Sequence, residues 1–191
     1  MNYDEPVEIK TKLDEKIAAA FQMFDVKRNN TIHSCYVGHV LRILKLAPSE
    51  QDIQDLIKDV EIENKKGIIY LNPFMMFLKK RLFDSEILKK WRPLEQNEIL
   101  ELFKELDKKN KGYILKDEFI NLMKTYGESM NDEEFQTMIN AAIFITEDAN
   151  KVNYYRYARK LFFKNDQNEE ESIFNLAEME IAEIKNKKKK N

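Results

Sequence analysis

Cysteine occurs once, at Cys35. The chain can therefore build neither an internal disulfide framework nor a cysteine-based zinc site. Glycine and proline are scarce, four of each in 191 residues, which argues against a loop-rich or all-β architecture. Histidine is limited to His33 and His39, which fall on different helical faces. No nucleophile elbow, phosphate-binding glycine loop or zinc spacing is present, and Cys35 has no base partner in the pattern, so it is expected to be inert. No apolar run approaches the length of a membrane span. The 32 basic and 34 acidic residues leave a net charge of −2. Because the two signs are interleaved, no field favours nucleic acid or membrane. The opening Met1-Asn2-Tyr3-Asp4-Glu5-Pro6 is acidic and polar, unlike a signal peptide, and lacks the glycine that myristoylation needs. These absences set the expectation of an intracellular soluble protein that is not an enzyme and has no nucleic-acid or membrane partner.

What is present is 43% hydrophobic residues in stretches rich in Lys, Glu, Leu, Ile and Met, a composition that favours helix. One unit recurs four times: an apolar helical stripe, a polar loop holding one β-branched residue, then a second stripe. The first unit has Ile17, Phe21 and Phe24, a loop from Asp25 through Ile32, then Val37, Val40, Leu41 and Leu44. Thr11 with Asp14 and Ser49 with Asp52 read as capping boxes. The second unit has Ile53, Leu56, Ile57 and Val60, a loop marked by Gly67 and Ile69, then Phe74, Met75 and Leu78. The third runs from Ile99, Leu102, Phe103 and Leu106 through Asp107, Gly112, Ile114 and Glu118 to Phe119, Leu122 and Met123. The fourth starts at Asn131 with Glu134 as its cap partner, then passes Phe135, Met138, Ile139, Ala142 and Val152 to Tyr157, Leu161 and Phe162. Charged residues, Trp91 and the helix-breaking Pro93 make 81–94 a linker on this pattern. After Phe163 come Glu169-Glu170-Glu171, a further helical stripe from Ile173 to Ile184, and Lys187-Lys188-Lys189-Lys190.

From Thr31 to Val60 this pattern resembles calmodulin's first lobe without a gap, through Gly38, Arg42, Leu44, Pro48, Glu50 and Asp55. Gly127-Glu128 to Met138-Ile139, with Val152-Asn153-Tyr154, is similar to its fourth hand. The second loop is one residue longer than calmodulin's, Trp91-Arg92-Pro93-Leu94 precedes the third hand, and the fourth loop carries inserted residues before Val152. With Lys116-Asp117-Glu118 and Ala141-Ala142-Ile143, this resembles the EF-hand family that supplies subunit eight of the nexin–dynein regulatory complex of motile cilia. The resemblance implies an all-α fold of two calmodulin-like lobes of paired EF-hands joined by a linker, with an extra C-terminal helix. The expected organisation is an N-terminal tail over 1–10, a first lobe over 11–80, a linker over 81–94, a second lobe over 95–164, and a C-terminal helix with basic tail over 165–191. The resemblance also implies a non-enzymatic structural subunit of the ciliary or flagellar axoneme that helps regulate dynein-driven motility. Alternatives are a calcium sensor acting through the third hand and a myosin-light-chain-like binder of IQ helices.

A working EF loop places oxygen ligands at positions 1, 3, 5, 7, 9 and 12, with glycine at 6 and a bidentate Glu at 12. In the first loop Asp25 holds position 1, but Lys27, Asn30 and Tyr36 stand at 3, 6 and 12. The second loop begins at Ile62 if Gly67 is position 6, or at Glu61 with one residue too many, and ends at Pro73. The fourth has Glu147 and Asp148 but Arg156 at position 12. Only the third keeps Asp107, Gly112 and Glu118, and there Lys109 and Lys111 occupy positions 3 and 5. Asp107 and Glu118 are thus the one weak candidate pair for calcium, and no cofactor is expected. Ile32, Ile69, Ile114 and Val152 all fall at position 8, where paired hands form a short two-stranded ladder.

A hand without metal can still grip an amphipathic helix in an apolar groove. Met75, Met76, Met123 and Met138 are placed where such grooves are lined, and flexible thioethers suit the role; for each the other reading is plain core packing. Trp91 is either a partner anchor or packs on the third hand. The expected partner is an amphipathic or IQ-like helix of another regulatory-complex subunit. The terminal lysines are expected either to be solvated and disordered or to touch the acidic surface of a microtubule.

Overall fold

The computed structural model describes residues 8–62, 65–143, 148–162 and 172–190. Ten α-helices and four short strands are defined within them, and they fall into two compact units. Met1–Pro93 and Gln167–Asn191 form the first, and Leu94–Asp166 the second. Glu147, Phe163 and Glu169-Glu170-Glu171 lie outside the described residues.

In the first unit, α1 (Lys12–Gln22) starts at the expected box: the Asp14 amide donates to Thr11 Oγ1 at 3.2 Å and the Thr11 amide to Asp14 Oδ2 at 3.0 Å. Strand β1 (Thr31–His33) leads through a short 3-10 turn into α2 (Val37–Ile43). Helix α3 (Glu50–Val60) opens on the reciprocal Ser49–Asp52 box, followed by β2 (Ile68–Tyr70) and α4 (Leu71–Leu82). The strands pair antiparallel with Ile32 opposite Ile69. A two-stranded ladder is marginal by itself, and both isoleucines are buried in the apolar core beneath it. That core joins Ile17, Phe21, Leu41, Leu56, Phe74 and Leu78, all at 0% exposure.

The segment 81–94 departs from the expected linker. Helix α4 continues to Leu82, and Asp84 caps a further helix, α5 (Ser85–Lys90), by accepting from the amides of Glu86 and Ile87. Leu82, Leu88 and Trp91 all belong to the first unit's core, Trp91 at 0% exposure. Trp91 is therefore a core residue of the first unit, where the sequence pattern suggested an anchor for a partner or for the third hand. Its carbonyl accepts from the Ala47 amide at 2.8 Å, and Lys90 reaches Asp52 at 2.7 Å. These contacts seat the end of α5 on the corner between α2 and α3. The apolar face of 82, 88 and 91 gains more by burial here than a solvated linker would allow.

The C-terminal stripe also departs from a free-standing element. Helix α10 (Ile173–Lys190) packs on α1 and α4, burying Ile173, Leu176 and Ala177 in the first core. The lysine run expected as disordered continues this helix to Lys190, with Lys187 and Lys188 exposed.

The second unit holds α6 (Gln96–Leu106), β3 (Ile114–Leu115), α7 (Lys116–Thr125), α8 (Asp132–Ile143), β4 (Lys151–Val152) and α9 (Tyr154–Leu161). Ile114 pairs with Val152. Asn131 and Glu134 exchange their expected cap bonds at 2.8 and 3.0 Å. The core is smaller and aromatic: Phe103 stacks on Tyr154 at 5.8 Å, and Phe119 meets Tyr157 edge-on at 5.7 Å.

Two outcomes follow. Trp91→Ala should destabilise the first unit by about 3–5 kcal/mol in urea unfolding followed by circular dichroism. Trp91→Phe should cost much less, because the indole Nε1 is buried without a partner among the described residues. The second concerns Asp52. Burial raises its pKa, but Lys90 and the Ser49 hydroxyl and amide outweigh that and lower it to about 2. Its native pKa is below the unfolded value, so its contribution is complete above pH about 4 and is lost as pH falls towards about 2. Asp52→Asn should flatten the pH dependence of the thermal midpoint in that window.

Candidate calcium and partner-binding sites

The first three loops turn sharply before their strands, and an acidic side chain holds each turn. In the first loop the buried Asp25 accepts the Asn29 amide at 3.2 Å and the Asn30 amide at 2.7 Å, and Asn30 takes the left-handed conformation at φ 57°. Asparagine tolerates that region better than most residues, so it serves where glycine is usual. In the third loop Asp107 Oδ2 accepts the Gly112 amide at 2.8 Å, with Gly112 at φ 79°. In the second loop Glu61 accepts the Gly67 amide, with Gly67 at φ 81°. That interval is six residues instead of five, and the extra methylene of glutamate spans the inserted residue. Glu61, not Ile62, is therefore the functional start of the second loop.

The third loop adds a tie across the pair of hands. Tyr154, at the start of α9, donates its hydroxyl to Asp107 Oδ2 at 3.2 Å. Burial raises the Asp107 pKa, but the backbone amides of Lys111 and Gly112 and the Tyr154 hydroxyl outweigh it and hold the carboxyl below its usual value. Burial, with Tyr155 and Asp107 beside it, pushes the Tyr154 phenol up. The phenol therefore stays protonated and remains a donor. In the sequence Tyr154 belongs to the stretch similar to calmodulin's fourth hand, with nothing that marks its hydroxyl as a tie except its place two residues after the ladder position of the partner hand.

Asp107 and Glu118 do line one small cavity of about 300 Å³, together with Lys109 and Lys111. Calcium requires six to eight oxygen ligands. Here one carboxylate is engaged by protein donors, Glu118 is exposed, and ammonium side chains hold positions 3 and 5. Lys111 turns away over the Tyr113 ring at 5.7 Å, yet it adds no ligand. This donor set does not fit the ion. Among the described residues no group of three or more His, Cys, Asp or Glu side chains is arranged to hold a metal.

The methionines separate between the units. Met75 is buried in the first core, whereas neighbouring Met76 is 43% exposed. Met123 and Met138 are half-buried against the second core. Met138 lines a cleft of about 550 Å³ between α8 and α9, together with Ala141, Tyr157, Leu161, Glu134 and Lys160. On α6, Leu102 at 51% and Leu106 at 37% exposure face outward, although the stripe marks both as core. No helix among the described residues is long and apolar enough to cross a membrane.

Position-8 ladders within each unit, helix–loop–helix hands and left-handed loop turns define a calmodulin-like protein built of paired EF-hands. Residues 80–126 match the EF-hand domain pair family. The chain is 32% identical to dynein regulatory complex protein 8 of Mus musculus over 76% of its own length and 85% of that protein. It belongs to the dynein regulatory complex protein 8 family of regulatory EF-hand proteins. It is also 28% identical to the myosin 1 light chain cam2 of Schizosaccharomyces pombe, over 81% of this chain and 97% of that one. In three dimensions it is similar to a chain of the Physarum polycephalum myosin II regulatory domain. The TM-score is 0.56 at 18% identity, covering 81% of this chain and 98% of that chain.

Calorimetric titration should give no heat up to millimolar calcium. Restoring carboxylates with Lys109→Asp and Lys111→Asp should create a site with a Kd on the order of 10⁻⁴ M or tighter, and adding Glu118→Gln should abolish it. Tyr154→Phe should lower the thermal midpoint of the second unit, read by near-UV circular dichroism of its tyrosines.

Proposed function

We propose that this protein is a non-enzymatic, constitutively folded subunit of the dynein regulatory complex in the ciliary axoneme, where it grips an amphipathic helix of another subunit. Membership in the family supports the ciliary regulatory role. The observation that carries the helix-gripping role is the apolar surface left on the second unit: the α8–α9 cleft at Met138, Tyr157 and Leu161, with Leu102 and Leu106 exposed on α6. Apolar residues of this kind are what an amphipathic helix meets with its anchors at i, i+3, i+4 and i+7. Because the loop turns are held by the protein's own carboxylates, the surface needs no ion to form. Calcium-triggered exposure is therefore not part of the role.

The test is tagged protein expressed in ciliated cells and recovered from axonemes by salt extraction. It should come down with the other subunits of the dynein regulatory complex, and cytosolic recovery without them rejects the proposal. Met138→Asp, which sets a charge in the cleft, should weaken that association by tenfold or more, about 1.4 kcal/mol. Chelation of calcium should leave it unchanged.

A further inference from the structure

Part of the apolar surface of the hand helices of the first unit is covered by the chain itself. Helix α5 crosses from α4 to the corner between α2 and α3, where Trp91 is buried and its carbonyl accepts the Ala47 amide at 2.8 Å. Helix α10 lies along α1 and α4. It buries Ile173 at 1%, Leu176 at 8% and Ala177 at 0% exposure, positions i, i+3 and i+4 of one helical face. That is the anchor spacing of a helix seated in a groove. The next position of the pattern, i+7, is Glu180, and it carries a latch in place of an apolar anchor. Its carboxylate accepts Lys79 Nζ at 2.6 Å and Thr11 Oγ1 at 2.9 Å. Lys79 also donates to the buried Asp14 at 2.6 Å, so one ammonium on α4 bridges carboxylates from α1 and α10. Lys79 and Glu180 are largely shielded, at 17% and 14% side-chain exposure. At such exposure solvent screens the attraction little, while either charge left alone would be costly.

We infer that α10 is a built-in helical ligand of the first lobe, seated where a partner helix would bind and latched there by Glu180 through Lys79. One lobe is then self-occupied and the other open. A partner helix is taken by the second lobe alone, and the first becomes available only when α10 is released. The assignment of the open site to the second lobe rests on the helix-gripping reading above.

The test uses the full chain and a synthetic amphipathic helix, with leucines at i, i+3, i+4 and i+7 and lysines on the opposite face. Calorimetry should give one helix per unmodified chain. Leu176→Glu with Ala177→Glu should raise hydrogen exchange of the α10 amides by roughly a hundredfold or more and bring the stoichiometry to two. Emission from Trp91 that stays characteristic of a buried indole would show that the rest of the first lobe has kept its fold. If that emission shifts, Glu180→Lys decides, because it reverses the latch and leaves the apolar seat intact. Released α10 with an unchanged stoichiometry, or two helices on the unmodified chain, overturns the inference. No helix on the unmodified chain but one on the variant upholds self-occupancy and rejects the open second lobe. No helix on either, with α10 released, overturns the inference as well.

Discussion

A carboxylate accepting the backbone amide of a left-handed residue is the contact on which both units depend. Asp25 does this for Asn30, Glu61 for Gly67 and Asp107 for Gly112. In a metal-loaded hand the cation would draw the loop around itself. Here the turn closes around an anion and the chain's own N–H groups. An amide bonded to a charged acceptor is stronger than an ordinary neutral pair. Once the turn is set, the position-8 residues face each other and the entering and leaving helices diverge at the angle their cores require. The strands are two or three residues long and could not hold that geometry alone.

On this common frame the units are finished differently. The first recruits α5 and α10, and its apolar cluster extends through Trp91 and Ile173. The second has a smaller core with stacked aromatic rings, fastened by the Tyr154 hydroxyl reaching from the fourth hand to the third loop. It leaves Leu102, Leu106 and Met138 at or near the surface. Two pairs of hands of the same pattern thus end, in one lobe, with a large core extended by two added helices and, in the other, with a smaller aromatic core.

What could be seen in the residues was local. The three capping boxes and the four ladder positions were legible because each depends on neighbours a few residues apart. The lysines at 109 and 111 likewise announced a poor calcium site through charge alone. What could not be seen was tertiary. Leu82, Leu88 and Trp91 form a stripe too short to reveal whether it meets solvent, a partner or the chain's own core. Glu61 was obscured because only its longer side chain reconciles a six-residue interval with the five-residue turn. The outward turn of Leu102 and Leu106 was hidden because helical periodicity marks an apolar face without saying what covers it. Glu180 carries no local signal, since its value lies in its bond to Lys79, about a hundred residues away in sequence.

The seating of α10 on α1 also sets an order of assembly. A chain made from its N-terminus presents α1 through α5 first and then all of Leu94–Asp166, and only afterwards the helix that completes the first unit. The lobe begun first is therefore the lobe finished last, with the faces of α1 and α4 uncovered while the second unit folds. A chain stopped just after Phe162 would carry its damage at the opposite end of the sequence, in the hands nearest its N-terminus.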